Sequence, residues 1–285
     1  MTATGFHEGE IATQRRAGVE ADAKRLEVML DSPRLSQGAT GFLASQQFIA
    51  LTGRDRDGLL WISPVVSEPG FLHGQGNVLS VSSTPRDGDP LHDMPIGQQV
   101  GLIAVDFATR RRVRVNGKLL GADGAGMTVR VDQSYGNCPR YIHRRAIDVG
   151  GFAASPSIRA RRATLLQASD QAMISASDTF FLGTTHPSRG SDASHRGGRA
   201  GFVRVDSPAR IWWPDFPGNN MFNSLGNLAA DDEGALLFVD FVTGASLHVT
   251  GTAQVRWTTP DAAGDDGGVG RTVAFSVDAV VALRN

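Results

Sequence analysis

Short apolar runs separated by glycine-rich turns dominate this chain. Residues 47–52 and 59–66 are two such runs, and between them lies GRDRDG (residues 53–58). Asp-Gly tolerates positive φ, so the pattern predicts a β-hairpin. Further strands are expected over residues 77–82, 100–107, 111–120 and 127–132, with a tight turn at 108–110. A second series of β runs starts at Thr179, and residues 274–283 read as a final strand or short helix. The clearest helical period lies in residues 8–31, where Ile11, Val19, Ala23, Leu26 and Leu30 recur on one face. Glu20 and Lys24 are spaced as an i,i+4 pair, and Ser32-Pro33 ends the segment. Residues 140–146 and 164–177 are also expected to be helical. Glycine accounts for 34 of 285 residues, against about 7% in an average protein. That surplus suits a mostly-β chain with many turns.

The stretch GGFAASPSIRARR (residues 150–162) is rich in Gly, Ser and Arg. It divides the chain into an N-terminal helix plus first half (1–149), a connector (150–163) and a second half (164–285). The loop DAAGDDGGVG (261–270) is expected to be exposed and flexible. The two halves share a pattern. GLIAVDFATRRRVRVNG (101–117) aligns with ALLFVDFVTGASLHVTG (235–251), so that Asp106, Thr109 and Gly117 fall on Asp240, Thr243 and Gly251. Upstream, Ser63 with Gly70-Phe71 matches Ser194 with Gly201-Phe202, shifted by three residues. Internal repeats of this kind point to a duplicated unit.

Composition narrows the function. Apolar residues make up 41% of the chain, enough for a packed core, and the net charge is −1. No global field draws nucleic acid or an anionic membrane, so any anion must be caught by a local cluster. The single cysteine, Cys138, allows no intrachain disulfide. Without a signal-peptide pattern or a long uncharged apolar run, the cytoplasm is the expected location. The seven histidines have no zinc-finger or HExxH spacing, so no metal is expected. GxSxG, Walker A and GxGxxG patterns are also missing.

Two polar-aromatic clusters carry the candidate chemistry. SHRGGRAGFVRV (194–205) precedes WWPDFPGNNMFNSLGNL (212–228), which leads into ALLFVDF and LHVTG. The first half contributes RDGLLWISPV (56–65) and SYGNCPRYI (134–142). In this order the segments resemble the pyridoxamine 5′-phosphate oxidase-like, FMN-binding split-barrel family. The resemblance implies two tandem six-stranded split β-barrels, FMN in the cleft between them and a homodimer as the usual assembly. It also implies a small-molecule substrate or electron donor as partner. The family's alternative cofactors are FAD, deazaflavin and haem.

On residue chemistry and this resemblance, Ser194, His195, Arg196 and Gly197 are candidates for the cofactor phosphate, Arg196 by its forked guanidinium. Trp212, Trp213, Pro214, Asp215, Asn219 and Asn220 are candidates along the flavin. Alternation lets only one of the two tryptophans face a given side. Asn219 and Asn220 either donate to a ligand or cap the next helix. Tyr135, Asn137, Cys138 and Arg140 form the second cluster. Its plainer reading is a strand-to-helix turn capped by Asn137, with Cys138 as a small buried residue. The run Arg110-Arg111-Arg112 with Arg114 reads first as a solvated hairpin tip and second as an anion contact. His7-Glu8-Gly9-Glu10 reads first as a helix cap and second as a segment folded over the flavin cleft. No catalytic residue is assigned. Haem would need an axial ligand, for which His195 and His248 are the candidates. The chain end, AFSVDAVVALRN, lacks the Arg- and His-rich segment of the true oxidases. The expected function is thus an FMN-dependent oxidoreductase of unassigned substrate. The alternatives are a binding protein without turnover and a structural protein with an empty cleft.

Overall fold

The computed structural model describes residues 5–30, 33–152, 159–261 and 267–284. The chain opens on helix α1 (Glu8–Arg16). His7 starts it, with its Nδ1 accepting from the Gly9 N–H while Glu10 accepts from the His7 N–H. This reciprocal arrangement satisfies two otherwise free helix-end donors. The single helix expected over 8–31 is instead three pieces: α1, α2 (Glu20–Lys24) and a 3-10 turn at Glu27–Leu30. Gly18 lies between the first two at φ 70°, a left-handed geometry that ends a helix. The expected Glu20–Lys24 pair is also replaced: Glu20 takes Arg15, and Lys24 takes Glu27. A third helix, α3 (Gln37–Ala44), is capped by the Ser36 side chain.

Seven strands follow: β1 (Phe48–Arg54), β2 (Leu60–Val66), β3 (Leu72–Gln75), β4 (Val78–Val81), β5 (Gln99–Asp106), β6 (Arg111–Asp123) and β7 (Gly126–Gly136). They form one antiparallel sheet in the order β2-β1-β5-β6-β7-β4-β3. The second half holds β8 (Arg159–Ala163), α4 (Ala168–Ala176), β9 (Thr179–His186), β10 (Gly190–Gly197), β11 (Arg204–Ser207) and β12 (Arg210–Pro214). It continues with α5 (Asn223–Ala230), β13 (Glu233–Val239), β14 (Ser246–Trp257) and β15 (Arg271–Arg284). Its sheet runs β10-β9-β13-β14-β15-β12-β11, with β8 added on β15. Raising each strand number of the first sheet by eight gives the order of the second. The mostly-β, two-half class expected from the sequence is therefore the one observed, with seven strands per repeat rather than six.

Other expectations are corrected. Residues 140–146 are not helical: Tyr141 sits at φ 65°, and Arg140 and Tyr141 both donate to the Pro217 carbonyl, tying the segment to the other half. The connector is not wholly linker, since residues 159–163 pair with β15; residues 153–158 lie outside the described residues. Helix α4 begins at Ala168 rather than Thr164, because the Leu166 N–H bonds to the Pro208 carbonyl. Of the loop 261–270, residues 262–266 are outside the described residues. No helix among the described residues is long and apolar enough to cross a membrane.

Period-2 alternation in the strands builds three apolar layers. Ile49, Leu51, Trp61 and Leu102 point into the first sheet's own core. Phe180, Leu182, Trp213 and Phe275 fill the second. The opposite faces meet between the halves, where Phe48, Ile62 and Ile103 pack on Phe181, Leu237 and Phe241. Strands β1 and β9 are buried on both faces for this reason.

The repeated motif has a physical basis. The Asp106 carboxylate accepts from the Thr109 N–H and hydroxyl, and Asp240 accepts from the Val242 and Thr243 N–H groups. Each aspartate thus stitches its hairpin turn. Gly117 and Gly251 sit where the β6–β7 and β14–β15 registers shift. A Cβ at either would run into a carbonyl oxygen of the facing strand, that of Arg130 or Ser276. Gly117→Ala and Gly251→Ala should each lose about 3 kcal/mol, since backbone cannot yield as a side chain can. Urea denaturation with an unchanged slope would measure it; a loss below 1 kcal/mol would contradict the bulge role.

Candidate functional site: a basic cleft between the halves

Strand β6 follows the Arg110 turn, where φ is 57°. Arg112 and Arg114 lie two residues apart on it and so share one face. That face meets β10 of the other half, which brings His195 and Arg196. The segment after β12 and the first turn of α5 cover them. The cleft so formed opens to solvent. Arg112, Arg114, Asn137 and Tyr141 enter from the first half; His195, Arg196, Asp215, Phe216, Asn219 and Ser224 enter from the second.

The charges are arranged in pairs with a surplus. Arg114 Nη1 donates to both oxygens of Asp192, at 3.0 and 2.7 Å. Asp192 also accepts from Ser224 Oγ at 3.1 Å. Asp215 accepts from Arg196 and from Arg271, each at 2.9 Å. Arg112 has no carboxylate; its Nη1 donates to His195 Nδ1 at 3.1 Å. Four guanidinium groups therefore face two carboxylates, leaving two positive charges in excess. Burial, then Arg114 and Arg196, pushes the Arg112 pKa down to about 9. Burial lowers that of Arg196 as well. Burial first, and Arg112 second, keeps His195 neutral, well below the ordinary histidine range.

Several donors have no partner. Arg112 Nε, Arg114 Nε, Arg196 Nε, His195 Nε2 and Asn137 Nδ2 are buried without a hydrogen bond. With Arg112 donating to Nδ1, the His195 proton sits on Nε2, making that atom a donor too. Five orphaned donors around one surplus-positive cleft are what a buried oxyanion requires. An aromatic wall adjoins them: Tyr141 stacks on Phe216 at 5.3 Å and 25°, and Arg271 lies over the Phe222 ring at 5.0 Å. Donors and wall fit a phosphate joined to a planar ring. They do not fit haem. The free lone pair of His195 is taken by Arg112, and both ring nitrogens of His248 are bound, to Ser246 Oγ and the Ile62 carbonyl.

Of the residues singled out in the sequence, His195, Arg196, Gly197, Pro214, Asp215, Asn219, Asn220 and Asn137 line the cleft. Ser194 does not: it is fully buried, and its hydroxyl donates to the Leu182 carbonyl. Trp213 is core, 1% exposed against Phe180, and Trp212 donates to Asp206 away from the cleft. Asn219 and Asn220 do not cap α5, whose N-cap is Phe222 at φ 58°; Asn219 instead bridges Asn137 and the Met221 N–H. No helix follows Asn137 for it to cap. Tyr135 is buried beside Arg114, behind the cleft. Arg140 reaches Pro217, and Cys138 is half-buried and unpaired. Arg112 and Arg114 overturn the solvated-tip reading, which holds only for the exposed Arg110 and Arg111.

Behind the cleft, α1 crosses α5 at Gly9 and Gly226, where a Cβ on either would meet the other helix. The crossing buries Glu10, which accepts from the His7 N–H and from Asn223. Burial raises its pKa from 4.5 to about 7. The folded state thus holds this proton more tightly than the unfolded chain. Its contribution is complete below pH 4.5 and is lost as pH rises through 7. Glu10→Gln should gain on the wild type across that window, by up to about 3 kcal/mol, and stay level above it. Melting temperatures from pH 4 to 8 would show this; a constant gap would refute it. Near the same crossing His7, Glu8 and His186 bring ligand-type atoms within 4.8 Å of one another. Hydrogen bonds within the protein already engage both nitrogens of each histidine.

No protein-family profile and no curated protein matches the chain. Several solved structures are similar to part of it. A putative pyridoxamine 5′-phosphate oxidase from Lactobacillus delbrueckii is 15% identical with TM-score 0.34, covering 41% of this chain and 94% of that one. A FAD-binding protein from Mesorhizobium loti is 12% identical with TM-score 0.32, covering 45% and 99%. A pyridoxinephosphate oxidase family protein from Clostridium acetobutylicum is 15% identical with TM-score 0.30, covering 41% and 87%.

Proposed function

We propose that this chain binds FMN in the cleft between its halves and works as a flavin-dependent oxidoreductase. The observation that carries the reading is the set of buried, unpartnered donors on Arg112, Arg114, Arg196, His195 and Asn137. A phosphate monoester is close to a dianion near neutral pH, which matches the surplus of two positive charges. The sequence resemblance to FMN-binding split barrels points the same way, and the shared strand order of the two sheets supports a duplicated unit.

In this reading the arginines hold the phosphate, and Asp192 and Asp215 hold the arginines. The guanidinium forks are thereby oriented before the ligand arrives, which reduces the ordering cost of binding. The bound flavin supplies hydride transfer. The wall of Tyr141, Phe216 and Phe222 positions a ring and keeps water from one face. Tyr141, Phe202 and Phe216 also border a neighbouring opening lined by His143 and Arg199, which gives a second reactant access to that ring. The test is the visible spectrum of the purified protein and its titration with FMN. Flavin absorbance, or saturable uptake by the colourless protein, is expected. A protein that carries no flavin and takes up none would refute the reading.

A further inference from the structure

The two sheets relate every position of the cleft to a second position in the chain. Gly101 pairs with Asn116 and Thr52, while Ala235, its partner in the repeat, pairs with Thr250 and Gly183. Thr52 in turn pairs with Ile62, and Gly183 with Ala193. Counting along these ladders, Arg112 corresponds to Ser246 and Arg114 to His248. His195 corresponds to Pro64 and Arg196 to Val65. The mate cleft, between β14 and β2, has thus lost three guanidinium groups.

The chain itself occupies that place. In the second half the segment between β12 and β13 lines the open cleft; in the first half the corresponding segment, between β4 and β5, turns inward. Its Arg86 Nη2 donates to Ser246 Oγ at 3.2 Å and to the Gly244 carbonyl at 2.6 Å. Its Asp89, 3% exposed, accepts from Ser63 Oγ at 2.5 Å and from the Leu91 N–H at 2.9 Å. Asp89 also lies 3.5 Å from His248 Nε2. Gly88, at φ 81°, presses close to Ala160 and Leu283, so the strap is packed from outside. Arg86 Nε, Arg86 Nη1 and Asp89 Oδ2 are buried without hydrogen-bond partners here. They belong, however, to one cation and one anion near each other. Their charges cancel, whereas the open cleft keeps two positive charges in excess.

We propose that the chain has one anion-ligand site, at Arg112 and Arg196, and that Arg86 and Asp89 close its mate as a built-in replacement for a ligand. The proposal rests on reading the open cleft as a phosphate site. It makes the chain a single-cofactor protein with two halves of unequal role: one holds the ligand and the other holds the strap.

Two measurements on the full chain test it. Crystals soaked in tungstate should show one anomalous peak per chain, between Arg112 and Arg196, and the double variant Arg112→Gln/Arg196→Gln should show none. Titration with FMN should saturate at one equivalent per chain. A peak at Arg86 and His248, two equivalents of FMN, or no tungstate in either cleft of the wild type would overturn the assignment. Tungstate at Arg112 without FMN uptake would refute the flavin reading and leave the single site standing.

Discussion

Arg112→Met is expected to raise the melting temperature of the ligand-free protein while weakening phosphate or FMN binding about 100-fold. Arg112 is the one guanidinium of the cleft's four that no carboxylate balances. Its pKa of about 9 records the cost of holding that charge beside Arg114 and Arg196. An apolar chain of similar length removes the repulsion and keeps the packing, a change worth about 1–3 kcal/mol. At about 2–4 °C per kcal/mol for a chain of this size, the shift is readily measured. The binding loss follows from removing a charge-assisted bond, about 1.5–3 kcal/mol. A variant that melts lower and binds as well as the wild type would show that Arg112 is structural.

Asp192→Ala should have the opposite signature, losing about 3–5 kcal/mol of stability, because it leaves Arg114 buried without its counter-charge. Asp192 belongs to β10 and Arg114 to β6, so the pair joins the two halves, with side chains only 3% and 8% exposed. The same carboxylate takes Ser224 at the start of α5 and lies 3.4 Å from Asn116 Nδ2. Restoring the balance with Arg114→Met in the same chain should recover much of the loss. Chemical denaturation of the single and double variants forms the cycle. Additive losses would mean that the pair contributes no mutual stabilisation.

Much of the scaffold was legible in the sequence because strand burial follows alternation. The hairpin of residues 47–66 and the paired segments around Asp106 and Asp240 were read from local pattern, which turn chemistry determines. The division of labour between Trp212 and Trp213 followed from the same period. The break at Gly18 was missed because five apolar residues continue the helical spacing across it, and spacing does not register a left-handed glycine. The cleft was half legible. His195, Arg196 and the segment around Asp215 stand out as polar groups among glycines and aromatics. Arg112 and Arg114 look like a solvated tip, since what buries them is β10, about 80 residues further on. Ser194 looks like a site residue because its neighbours His195 and Arg196 belong there, yet its short hydroxyl is spent on the Leu182 carbonyl. Nothing local marks Arg86 and Asp89 as a filling for the other cleft.

The equal strand order of the two sheets has a consequence for how such a molecule can change. In a pair of identical chains every substitution is inherited twice, once on each side of the axis, so a residue that suits one pocket is imposed on its twin. Here the two positions are spelled separately. Position 112 can be arginine while position 246 is serine, and a loop on one side can shorten without disturbing the other. A single covalent chain therefore frees its two sides to drift apart, and cohesion between the halves can be strengthened where ligand contact has been given up.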